Sequence, residues 1–200
     1  MSLYAAVRMA AGAICYSVLR LEVVGSEAVP RDGPLIVAAN HRSYVDPVAL
    51  GVACPRPIAY MAKSELFRIP VLGPLIGALG AYPVERGKGD IAAIRASLRQ
   101  LADGHAIGIF PEGTRNPGGE ARVQTGVALL ATMARAPVIP AYVRGGDRAK
   151  RLGKLQVAFG DPFRLGEGQS GKASREDLAK WADMVMVRIR ALGEKLASGD

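Results

Sequence analysis

A histidine stands five residues before an aspartate in the segment Asn40-His41-Arg42-Ser43-Tyr44-Val45-Asp46-Pro47, directly after the apolar run PLIVAA at 34–39. Imidazole is the side chain suited to proton transfer near neutral pH, so His41 at the end of a buried strand is placed to act as a general base. A carboxylate that folds back to the imidazole would fix its tautomer and stabilise the imidazolium formed when a hydroxyl gives up its proton. Asp46 has a second use open to it, as the cap of a helix with Pro47 at the first helical position. The two uses are compatible, because a carboxylate offers about four acceptor sites. His41 as a satisfied loop residue is the plain alternative.

Two further polar clusters follow apolar runs. Phe110-Pro111-Glu112-Gly113-Thr114-Arg115 reads as a tight turn with exposed amides and an anion-pairing arginine. A guanidinium suits phosphate because its fork bonds two oxygens at once. In Glu85-Arg86-Gly87-Lys88, Arg86 is a candidate for a second phosphate contact. A bare turn and a solvated charge group are the respective alternatives. Neither Cys15 nor Cys54 adjoins a histidine, and no G-x-S-x-G elbow occurs, so the sequence offers no covalent nucleophile. His105, at the start of an expected strand, is read as structural.

The elements that must hold these clusters alternate. Strands are expected at 21–24, 34–39, 81–84, 105–110, 138–143 and 155–159, with another apolar run at 57–61. Helices are expected after Asp46, after Asp90 with a stop at Gly104, over 125–135, and after a capping box of Ser174 and Asp177. The last carries the stripe Leu178, Trp181, Val185, Ile189, Leu192 and Leu196. Residues 69–80 are apolar but interrupted by Pro70, Pro74 and glycines, too broken for one regular helix. This alternation predicts an α/β domain: a single layered unit with a mixed, largely parallel sheet flanked by helices. Sites in such sheets gather outside the carboxyl ends of strands.

The chain has 200 residues and a formal net charge of +8. One domain accommodates that length. The charge implies an anionic partner. Nucleic acid fits poorly, because aromatics are 6% of the chain and none interleave with the basic run Arg144, Arg148, Lys150, Arg151 and Lys154. That run suits anionic lipid heads or an acidic acyl carrier, or it is a solvated loop. Cys15 and Cys54 are expected to be buried reduced thiols. With two histidines and no clustered spacing, no metal site is expected. Residues 3–19 are short for a membrane span and Arg8 interrupts them. Leu3, Val7, Ala11, Ile14 and Val18 share one helical face, so residues 1–20 are read as an amphipathic, membrane-associated helix ahead of a domain at 21–200, with a core helix as the alternative.

In order and spacing, residues 33–143 resemble the glycerolipid acyltransferase family of 1-acylglycerol-3-phosphate acyltransferase type. The four blocks are NHRSYVDP, FRIPVLGPLIGALGAYPVER, FPEGTR and VIPAYV. The resemblance implies that a hydroxyl of a lysophospholipid acceptor attacks an acyl thioester directly, giving phosphatidic acid. His41 would be the general base and Asp46 its orienting partner. Arg86 and the turn Glu112, Gly113, Thr114 and Arg115 would bind the acceptor and its phosphate. No cofactor is implied; acyl-CoA or acyl-carrier protein enters as co-substrate. The implied place is the cytoplasmic face of the cell membrane, peripheral or shallowly embedded. Two departures bear on the acceptor. Many members carry Phe-Ile-Asp-Arg where this chain has Pro83-Val84-Glu85-Arg86, and many have a lysine where it has Val123-Gln124-Thr125-Gly126, for which Arg122 could substitute. A different lysolipid or polyol-phosphate acceptor is therefore the nearest alternative. A hydrolase using His41 to activate water and a silent membrane-binding module are the remoter ones.

Overall fold

The apolar run at 34–39 becomes the central strand of a seven-stranded sheet. A computed structural model describes residues 3–70, 72–78, 80–84, 90–115, 123–147, 152–168 and 172–198. Their elements run α1 (Leu3–Ser17), β1 (Glu22–Val24), β2 (Leu35–Ala39), α2 (Asp46–Ala53), β3 (Ile58–Lys63), α3 (Leu72–Ala78), β4 (Tyr82–Val84), α4 (Asp90–Ala102), β5 (Ala106–Ile109), α5 (Gly126–Met133), β6 (Val138–Arg144), β7 (Gln156–Phe159) and α6 (Arg175–Ser198). Seven strands form one sheet in the order β1-β7-β6-β2-β5-β3-β4. All pairings are parallel except β6 with β7. The expected mixed, largely parallel α/β sheet is thus the observed one.

β2 is fully buried along its length because both sheet faces are covered. Leu35, Val37 and Ala39 join the core beneath α1 and α2, whereas Ile36 and Ala38 join the core beneath α4, α5 and α6. This two-residue alternation is the pleat of the strand. The amino ends of the sheet are tied by Arg56, whose guanidinium donates to the carbonyls of Gly33 (2.9 Å) and Gly104 (2.7 Å). The carboxyl ends of β2, β5 and β6 are left to carry loops.

The capping box before α6 is present: Ser174 Oγ accepts from Asp177 N, and Asp177 Oδ2 accepts from Ser174 N. Within the stripe of α6, Val185 and Ile189 are buried, joined by Ala182 and Met186. The stretch at 69–80 contains α3, preceded by a 3-10 turn at Ser64–Arg68. Gly73 allows that junction, since a Cβ there would fall 2.1 Å from the Phe67 carbonyl oxygen.

α1 divides the apolar face expected from the sequence between core and surface. Ala11 and Cys15 pack on the core, whereas Ile14 and Val18 are 57% and 46% exposed. The cause is Arg8, whose guanidinium donates to the carbonyls of Val52 (3.3 Å) and Cys54 (2.5 Å) at the end of α2. Those are carbonyls a helix end leaves unpaired. Docking through Arg8 turns the helix so that apolar side chains of the expected face point outward. Cys15 and Cys54 are buried free thiols, and burial pushes both thiol pKa values up.

Candidate active site

The site forms where the exits of β2 and β5 lie side by side. The pair Ala38 and Ile109 sets an offset of 71 residues between the two strands. Carried three residues on, that offset brings His41 opposite Glu112, and the His41 amide donates to Glu112 Oε1 at 3.1 Å. On the other side of β2, Asn40 is buried and pairs with β6 in both directions. Its Nδ2 donates to Val143 O at 2.9 Å and its Oδ1 accepts from Val143 N at 2.8 Å. The segment leaving β2 is thereby pinned to both neighbours immediately before the histidine.

Asp46 lies in the first turn of α2, and Val45 takes the cap position with no side-chain hydrogen bond. The expectation that Asp46 caps the helix with Pro47 first inside it is therefore corrected. The carboxylate turns backward instead. Its Oδ2 accepts from the amides of Arg42 and Ser43, each at 2.6 Å, and lies 3.3 Å from His41 Nδ1. The physical reason is that backbone amides must be paired, and the carboxylate satisfies both of these in the tight loop between β2 and α2. Asp46 is 1% exposed and His41 is 17% exposed. A carboxylate at Nδ1 makes that nitrogen the proton carrier and leaves Nε2 as the basic lone pair. The ring stacks on Phe110, with centroids 4.2 Å apart and planes 23° from parallel. Phe110 stacks in turn on Tyr60, so the imidazole rests on a column of rings rooted in the core.

The turn after β5 is closed by Gly113 N donating to Phe110 O at 2.9 Å, with Gly113 at φ +67°. That left-handed conformation favours glycine. Glu112 is buried and braces the His41 amide, whereas Gly113, Thr114 and Arg115 are exposed. The Arg115 guanidinium lies over the Tyr44 ring, 3.5 Å from its centroid. Cation–π contact thus ties the turn to the histidine loop and holds a positive charge at the rim. His105 sits at the opposite end of β5, exposed, with Nδ1 3.0 Å from Gln100 Oε1. Arg86, Arg122, Arg148, Lys150 and Arg151 lie outside the described residues. Of the basic run, Arg144 Nη1 donates to Leu196 O and Lys154 pairs with Glu22 at 2.6 Å.

Sequence reasoning missed four contributors. Asn40, Tyr44 and Phe110 lie inside the motifs, but nothing in their spacing shows that they brace. Gly146 lies outside every motif: a Cβ built there would fall 2.1 Å from Asp46 Oδ1.

The arrangement can lower the cost of deprotonating a hydroxyl brought to Nε2, with Arg115 attracting an anionic group near by. The chain is similar to known proteins over most of its length. The family described as Acyltransferase matches residues 20–144. A 1-acyl-sn-glycerol-3-phosphate acyltransferase of Bacillus subtilis is 32% identical over 180 residues, covering 88% of this chain and 89% of that protein. A lyso-ornithine lipid O-acyltransferase of Pseudomonas aeruginosa is 36% identical over 133 residues, 64% of this chain and 50% of that protein. The crystal structure of the 1-acyl-sn-glycerophosphate acyltransferase from Thermotoga maritima superposes with a TM-score of 0.73 at 28% identity, covering 97% of this chain and 81% of that one.

Proposed function

The chain belongs to the acyltransferase family, and from that premise we propose how it works: it is a 1-acylglycerol-3-phosphate acyltransferase that forms phosphatidic acid with His41 as its base. The observation that carries the reading is the 3.3 Å contact between His41 Nδ1 and a buried Asp46 at the open end of two parallel strands. The acceptor hydroxyl gives its proton to Nε2 as its oxygen attacks the thioester carbonyl. The tetrahedral intermediate then collapses, the thiolate leaves, and the proton held on the imidazolium passes to it. Asp46 offsets the imidazolium charge while it exists. Acyl-CoA or acyl-carrier protein supplies the acyl group.

Incubating the purified protein with labelled acyl thioester and a panel of lysolipids, with mass spectrometry of the products, tests this directly. Phosphatidic acid from 1-acylglycerol-3-phosphate is expected as the main product. Preferred acylation of lyso-ornithine lipid, or of a polyol phosphate, would reassign the acceptor.

Arg115 and Arg86 hold the acceptor phosphate in this reading, supported for Arg115 by its exposure and its seat on Tyr44. Loss of a charged hydrogen bond costs about 1.5–3 kcal/mol, so Arg115→Ala should raise the acceptor KM roughly 10–100-fold with little change in kcat. An unchanged KM would remove Arg115 from the phosphate site.

The chain docks peripherally on the cytoplasmic face of a membrane in the same reading. No described helix is long and apolar enough to cross one. Met9, Ile14, Tyr16 and Val18 are large, apolar or aromatic, and exposed on or just after α1. Burying such a side chain contributes about 1.5–3 kcal/mol, and a net charge of +8 adds attraction to an anionic leaflet. Ile14→Glu with Val18→Glu should sharply reduce co-sedimentation with anionic vesicles while leaving the fold intact. Undiminished vesicle binding by that variant would exclude α1 as the docking surface.

A further inference from the structure

Asp46 uses its two carboxylate oxygens unequally. Oδ2 takes the Arg42 and Ser43 amides and His41. Oδ1 is buried with no hydrogen-bond partner among the described residues. It faces Gly146, two residues beyond β6. The β6 exit is held against the histidine loop by the two-way pairing of Asn40 with Val143. The adjacent glycines there have different tasks. Gly145, at φ +88°, makes the turn, and a Cβ on it would strike the Lys154 carbonyl. Gly146 is buried and lies outside the positive-φ glycines, so its backbone would accept a side chain; only the space is missing. A methyl at 2.1 Å from Oδ1 would lie far inside the roughly 3.3 Å at which carbon and oxygen meet. Ser43 Cβ, at 3.2 Å from the same point, closes a second side. Rotation of Asp46 relieves the clash, and rotation withdraws Oδ2 from His41 and both amides.

We propose that Gly146 is a positioning residue for the reaction: its bare α-carbon is the seat that lets the Asp46 carboxylate hold the His41 imidazole. The inference rests on the reading of His41 and Asp46 as the reacting pair. Among the described residues, the charged groups that contact His41 are Asp46 on α2 and Glu112 after β5, with Arg42 next in sequence and Arg115 over Tyr44 in the same loop; Gly146 acts through the first.

Gly146→Ala should lower kcat about 100-fold, the usual cost of misplacing a catalytic group by about an ångström, with both KM values little changed. Adding Asp46→Asn to Gly146→Ala should cost little more, because both act on one contact. The chain has only two histidines, so the ring-nitrogen spectrum of a ¹⁵N-histidine sample resolves His41 with His105 as the internal reference. His41 should change from a single Nδ1-protonated tautomer to a mixture in the variant, and His105 should not move. Normal kcat and an unchanged His41 spectrum in folded Gly146→Ala would overturn the proposal. Thermal unfolding decides the case even if that variant is too unstable to assay. Gly146→Ala should destabilise the parent chain far more than the Asp46→Ala chain, where only the 3.2 Å approach to Ser43 Cβ remains. Equal destabilisation in both backgrounds would refute the contact. Loss of activity in His41→Ala with no effect of Gly146→Ala defeats this inference alone, whereas full activity in His41→Ala defeats the reading beneath it.

Discussion

His41→Ala should abolish all but a trace of acyl transfer, with kcat down by about 10²–10⁴, the contribution of a positioned general base. The fold should survive. The contact that places the loop at this point is the His41 backbone amide on Glu112, which alanine retains. The lost ring leaves Phe110 more open, but Phe110 still packs against Tyr60. Both KM values should therefore hold while turnover falls. Steady-state kinetics at saturating acceptor, beside a circular-dichroism melt, checks both halves. Wild-type turnover in a folded His41→Ala protein would remove the imidazole from the chemistry.

Asp46 carries the second large effect, and two substitutions separate its two tasks. Asp46→Asn keeps one oxygen able to accept from Arg42, Ser43 and His41, so the loop should persist. What disappears is the negative charge opposite the developing imidazolium. A fall in kcat on the order of 10²–10⁴ is expected, comparable to neutralising the aspartate of a Ser-His-Asp triad. Asp46→Ala removes the acceptor as well. Two amides in the partly buried loop, which now bond at 2.6 Å to a carboxylate 1% exposed, would lose that acceptor. Each stranded buried donor costs about 1–3 kcal/mol, so alanine should also lower the melting temperature clearly, which asparagine should not. If the two variants melt alike and lose activity alike, the carboxylate does not divide its work in this way.

The strands were largely legible because burial on both faces of a parallel sheet leaves continuous apolar runs such as residues 34–39, which no other element explains as well. His41 and Asp46 stood out for a different reason: taken alone their spacing left a capping aspartate and a loop histidine open, and the resemblance across four ordered blocks marked them as a pair. The direction in which Asp46 turns was not legible. Capping forward and reaching backward use the same residue at the same helix start, and only the stranded amides of Arg42 and Ser43 decide between them. On α1 periodicity left a membrane face and a core helix both open; Ala11 and Cys15 pack on the core, Ile14 and Val18 stay exposed, and Arg8 on the carbonyls of Val52 and Cys54 holds that rotation. Glu112 shows a similar limit. The motif marks it for the acceptor, and nothing in the motif shows that strand register also seats it against the His41 amide. Gly146 left no trace because its contribution is the absence of a side chain opposite a residue 100 positions away.

Thiol release from an acyl thioester, followed with and without 1-acylglycerol-3-phosphate and paired with intact-protein mass spectrometry, puts the direct transfer mechanism to its closest test. Release should begin only when the acceptor is added and should match phosphatidic acid mole for mole, with the protein mass unchanged throughout. Release that proceeds without acceptor, or protein that gains the mass of an acyl group, would contradict it.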